Sequence, residues 1–171
     1  ITDYLNLVNK IVQLKIDKIK KSAFEIGSDI VKYFEMLPDD SVLKKTYYQM
    51  MVTDNEKERN KLEKYLRNQV CPGNIDVNIM TKTDRNNFSK SGALIENGSD
   101  AVVALRGYAN SGLKNSSVIF SAGTNLRLYN YLETLQAFDV TDEGTFTKKV
   151  VIKVSDYRSA LIQGKYLAKK G

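Results

Sequence analysis

Over the first 70 positions the apolar residues recur three and four apart, the spacing of one face of a helix. Leu5, Val8, Val12, Ile16 and Ile19 predict a helix between Tyr4 and Lys21. Ser22-Ala23-Phe24-Glu25 has the form of a capping box, in which hydroxyl and carboxylate each satisfy a free backbone N–H. It predicts a second helix through Ile26, Ile30, Val31 and Phe34, stopped by Pro38. Asp39, Asp40 or Ser41 can cap a third, in which Val42/Leu43, Thr46/Tyr47 and Met50/Met51 fall four apart. Thr53-Asp54-Asn55-Glu56 is another capping box; it opens a highly charged helix expected to end near Cys71-Pro72-Gly73.

After Gly73 the period changes. Ile75-Asp76-Val77-Asn78-Ile79-Met80-Thr81 reads as a strand, and a polar loop from Lys82 to Ser99 follows it. Ala101-Val102-Val103-Ala104-Leu105 begins a helix that Gly112 can end. Ser117-Val118-Ile119-Phe120-Ser121 is a second strand, closed by Ala122-Gly123, and Leu126, Leu128, Tyr131, Leu132 and Leu135 mark the next helix. Lys149-Val150-Val151-Ile152-Lys153-Val154 is a third strand, with a helix from Asp156 through Ala160, Leu161, Tyr166 and Leu167. Residues 1–71 are thus expected to be a helical region or insertion, and residues 72–171 a βαβαβα segment with parallel strands joined by helical crossovers.

Side chains alternate along a strand, so Asp76, Asn78 and Met80 share one face and Val77 and Ile79 the other. Ile119 and Ser121 likewise oppose Val118 and Phe120; Val151, Lys153 and Ser155 oppose Val150, Ile152 and Val154. One face is apolar throughout, and the other turns polar towards the carboxyl ends. A sheet buried on both sides is apolar on both faces, whereas a barrel covers its outer face with helices and lets its inner face turn polar at the mouth. The pattern favours an α/β fold of the barrel kind.

Composition narrows the chemistry. The chain has 171 residues, about one domain and too few for a complete eight-stranded barrel of about 250. It contains no histidine and one cysteine, Cys71. A Cys/His zinc site, a Ser-His-Asp triad, a Cys-His dyad and an internal disulfide are all excluded within it. The single cysteine suits a reducing compartment, and a cytoplasmic location is expected; Cys71 itself is expected to be a buried small residue. No apolar run approaches the roughly 20 residues of a membrane span. The chain begins at Ile1 rather than Met, which reads as a trimmed N-terminus. The net charge of +6 is spread thinly: 13 basic and 11 acidic groups fall in residues 1–70, 13 and 9 in residues 71–171. Lys15, Lys18, Lys20 and Lys21 read as the solvated side of an amphipathic helix, so nucleic acid is not an expected partner. Asp76, Asp84 and Asp100 lie in or near strand-end loops, where carboxylates can hold a divalent cation but more often cap and solubilise; no metal is expected. Gly164-Lys165 lacks the remainder of a P-loop. Tyr47, Tyr48, Tyr129 and Tyr131 fall on helices, where packing is the better reading.

Three segments resemble one family. Pro72-Gly73-Asn74-Ile75-Asp76-Val77-Asn78-Ile79-Met80 is similar to the proline-to-"GVNIM" strand of nitronate monooxygenase-like flavoproteins, including FMN-dependent enoyl reductases. Val118-Ile119-Phe120-Ser121-Ala122-Gly123, then Leu126 to Leu132, resembles that family's strand, glycine and helix. Lys149 to Ser155, with Ala160 and Gly171, resembles its next unit. The resemblance implies part of an FMN-binding (β/α)8 TIM barrel and oxidoreductase chemistry on a small-molecule or acyl substrate, with a homo-oligomer among the arrangements open to it. It implies that Asn78 contacts the flavin and that Ser121, Gly123 and Lys153 line the same mouth. It also implies that the catalytic histidine lies beyond Gly171, so the chain by itself is expected to be inactive. The competing expectation is a non-enzymatic α/β module that binds a protein or nucleic-acid partner.

Overall fold

The structure is a computed structural model that describes residues 1–121 and 123–169. Ala122 and Gly171, which carry part of the resemblance, lie outside the described residues. Two compact units are present: Lys10–Gly73 forms one, and Ile1–Asn9 together with Asn74–Gly171 forms the other. The boundary near Gly73 is where the hydrophobic period changes, but the first nine residues go with the second half of the chain.

Residues 10–73 hold the greater part of α1 (Thr2–Lys21), then α2 (Asp29–Glu35), α3 (Val42–Met51) and α4 (Glu56–Gln69). Their core gathers Ile16, Ile30, Val31, Phe34, Tyr47, Met50, Leu66 and Val70, with Phe34 stacked on Tyr47 at 5.8 Å between ring centroids. Arg67 lies over the Phe24 ring at 4.9 Å and donates to the Lys20 and Ser22 carbonyls at the end of α1. The Ser22 capping box opens no helix. Gly27 turns the chain with a φ of 83°, and Ser28 becomes the cap, accepting from the Val31 N–H. Ser22 instead joins two helices: its hydroxyl donates to the Ile19 carbonyl near the end of α1 and accepts from the Ile30 N–H in the first turn of α2. Asn55, not Thr53, caps α4, accepting from the Glu58 N–H at 3.2 Å. Cys71 is exposed rather than buried, with the Tyr33 hydroxyl on its backbone N–H and carbonyl.

The other unit is α/β. After Asn74 the order is β1 (Val77–Met80), α5 (Asp100–Ala109), β2 (Ser116–Ser121), α6 (Leu126–Leu132), β3 (Lys148–Lys153) and α7 (Tyr157–Leu167). The strands form one three-stranded sheet in the order β1-β2-β3, with both pairings parallel. Val77, Ile79, Val118, Phe120 and Val150 point to the core, where they meet Leu5, Val102, Leu105, Tyr108, Leu128 and Tyr129. Tyr129 and Tyr47 are buried and Tyr131 half-buried, while Tyr48 stays half exposed. The start of α1 is held here too: the Thr2 hydroxyl donates to the Gly107 carbonyl, and the Gly112 N–H to the Asn6 amide oxygen. Lys148, at the amino end of β3, is buried on the helix side. Its ammonium donates to the Ala109 and Ser111 carbonyls at 2.7 Å each, capping the end of α5, and burial pushes its pKa down. Among the described residues no helix is long and apolar enough to cross a membrane.

Candidate functional site

The register sets Met80 beside Ser121 and Ser121 beside Lys153, so the last residues of all three strands stand in one row across the sheet. Alternation turns that row, with Asn78 two residues back, to the face away from the core. The row lines a cleft of about 620 Å³ with Lys82, Gly123, Ser155, Ser159 and Gln163. All four residues singled out in the sequence therefore line one space: Asn78, Ser121, Gly123 and Lys153. Its volume falls within the range of about 300–1,000 Å³ usual for small-molecule sites.

The loops at this end of the sheet are tied to one another. Thr81, just past β1, donates its N–H to the Ser121 carbonyl, and its hydroxyl lies 2.8 Å from that carbonyl and 2.7 Å from the carbonyl of Gly123. Asn125 caps α6 through the Leu128 N–H and donates its amide to Asp84 at 3.0 Å. Asp84 in turn accepts from the Ala101 N–H in the first turn of α5. Burial alone would raise the Asp84 carboxyl. The Ala101 N–H, the Asn125 amide and the Arg127 charge outweigh it and hold the group below the usual carboxylate range. Asp76 accepts from the Ser117 N–H, and Asp100 from the Asn87 amide. The three carboxylates are engaged as caps and braces, and no cluster suited to a metal ion occurs among the described residues.

Three residues that line the cleft have polar groups left over for a ligand. Among the described residues the side chains of Asn78, Lys82 and Lys153 make no hydrogen bond or ion pair with another part of the protein. Asn78 offers an amide with two donors and an acceptor. The Gln163 amide oxygen is taken by the buried Tyr129 hydroxyl at 2.7 Å, which leaves its nitrogen as the donor for the cleft. The Ser155 and Ser159 hydroxyls both donate to Asp156, the cap of α7, and so present lone pairs to a ligand. Those bonds and the Ser159 N–H hold the Asp156 carboxyl below its ordinary value. Ser121 lies at the strand junction with its hydroxyl 3.4 Å from the Ile79 carbonyl, and serves the sheet as much as the cleft.

Sequence reasoning missed Lys82, Met80, Ser159 and Gln163. Lys82 follows the carboxyl end of β1 by two residues, and that position was the signal available. Ser159 and Gln163 sit four apart on α7, one turn and two turns in, a spacing that puts both on the cleft side. Compared with protein-family models, with curated proteins and with solved structures, the chain finds no match.

Proposed function

We propose that the cleft is the flavin site of an FMN-dependent oxidoreductase of the nitronate monooxygenase-like kind. In this reading the three βα units form one sector of a (β/α)8 barrel. The observation that carries it is the convergence of Asn78, Ser121, Gly123 and Lys153 on one cleft at the carboxyl ends of three parallel strands. Ligands bind there in barrels and in open α/β sheets alike. Two further features support the barrel. One face of the sheet is covered by helices while Met80 and Val151 on the other are 57% and 43% exposed, as expected of a wall facing a lumen. Beside the unpaired edge of β3 lies an apolar hollow of about 330 Å³, lined by Leu132, Leu135, Phe138, Ile152 and Leu167, where a further βα unit would pack.

The residues present fit the group. The cleft has the volume, Asn78 and Gln163 supply amide groups suited to the ring's carbonyl and N–H edge, and Lys153 supplies a cation beside it. When bound, FMN supplies the hydride and electron transfer. The chain's part is to hold and orient: Asn78 by its unpaired amide, Lys153 by charge, the Thr81 and Asn125 ties by keeping the loops in register. The substrate is a small molecule or an acyl group entering from the exposed side of the sheet, in a cytoplasmic protein.

Titrating the protein with FMN tests this. Quenching of flavin fluorescence with a shifted visible absorbance is the expected result, weakened about tenfold or more in Asn78→Ala. A protein that leaves the flavin spectrum unchanged at saturating FMN refutes it and favours the binding-module reading.

A further inference from the structure

Lys82 has no part in the resemblance, and its placement is specific. Its aliphatic stem crosses Gly123: a Cβ on Gly123 would lie 3.3 Å from Lys82 Cε and 3.6 Å from Cγ. The Thr81 hydroxyl, one residue before Lys82, lies 2.7 Å from the Gly123 carbonyl and holds the two loops together at this point. Lys153 enters the cleft from the end of β3. Among the described residues neither ammonium has a counter-ion, and no carboxylate lines the cleft. Asp156, the carboxylate next to Ser155 in the chain, is already engaged by three donors. Two cations facing one partly enclosed space repel each other, and an anion between them removes that cost.

We infer that Lys82 and Lys153 together hold an anionic group, a phosphate or a carboxylate, of the molecule that occupies the cleft, and that Gly123 is bare so that the Lys82 stem can cross it. This rests on the cleft being the ligand site. The anion's source is either the phosphate of the cofactor or an acidic group of the substrate. Ser155 and Ser159, with their hydrogens turned to Asp156, favour a ligand that also carries an N–H or O–H donor.

The test titrates the whole chain with inorganic phosphate and with malonate by calorimetry, then repeats it with Lys82→Met, Lys153→Met and Lys149→Met. Lys149 lies on the same face at the amino end of β3 and carries the same charge, so it is the control. Tenfold or greater weakening in the first two variants, with an unchanged Lys149→Met and unchanged melting temperatures, is the expected result. No oxyanion binding by the unsubstituted protein, or equal weakening in all three variants, overturns the inference. Parallel titrations with FMN and riboflavin assign the source. If FMN binds more tightly than riboflavin and Lys82→Met closes the gap, the anion is the cofactor's phosphate. If the two flavins bind alike while the oxyanions still need Lys82, it is the substrate's. Lysine-dependent oxyanion binding without flavin binding leaves the anion site standing and removes the flavin reading. Flavin binding with oxyanion affinity indifferent to both lysines does the reverse.

Discussion

The two faces of the sheet are built from the same three strands, residue by alternating residue, yet they do different work. Val118 and Phe120 on the helix side are 0% and 1% exposed, while Met80 and Val151 on the other side are more than two-fifths exposed. On the first face apolar area is removed from water at about 25 cal/mol per Å². On the second, side chains are left free to meet something else. Ser117 and Ser121 are the exceptions on that face; Ser121 is buried because it is the short residue between two long ones, Met80 and Lys153. The difference teaches that stability and binding can be separated along a single strand with a period of two.

Substitutions can break or sharpen that contrast. Phe120→Ala removes a ring stacked 5.6 Å from that of Tyr129 and should cost about 3–5 kcal/mol, read by urea denaturation. A cost below about 1 kcal/mol would show that the helix side is not the core. Gly123→Ala forces a side chain onto a φ of 103° and against the Lys82 stem. A loss of about 1–3 kcal/mol is expected from the backbone alone, with oxyanion affinity falling further than in Lys82→Met if both lysines shift. Asp84 gives a smaller effect that depends on pH. Its folded pKa is below its unfolded one, so its contribution is complete above the ordinary carboxylate value of 3.8 and is lost as pH falls through the lower folded value. Asp84→Asn should therefore flatten part of the acid limb of the stability profile while leaving its alkaline side unchanged. Val151→Thr, on the open face, should change stability by no more than about 0.5 kcal/mol; a larger loss would mean that this face is covered in solution.

The elements of the sheet-bearing unit were legible because strand alternation is a local signal: Val118-Ile119-Phe120-Ser121 states its two faces in four letters. The cleft was legible only in part. Strand residues such as Asn78 and Lys153 follow the alternation, but Lys82 reaches the cleft by lying across Gly123, a contact between loops about 40 residues apart that no spacing encodes. The Ser22 capping box failed for a related reason. Ser28 offers the same chemistry six residues later, and Gly27 supplies the left-handed turn that puts Ser28, rather than Ser22, at the start of α2. Cys71 stays exposed although the Tyr33 hydroxyl meets its backbone N–H, its carbonyl and, at 3.7 Å, its sulfur; no spacing encodes a contact between residues 38 apart.

The division of α1 bears on the order in which the molecule can assemble during synthesis. Residues 10–73 are contiguous, and their core can close as soon as they have left the ribosome. Residues 1–9 leave before them but must wait, since Thr2 and Asn6 find their partners 105 and 106 positions downstream. Removing residues 1–9 therefore harms the unit that carries the sheet and spares the one formed by residues 10–73.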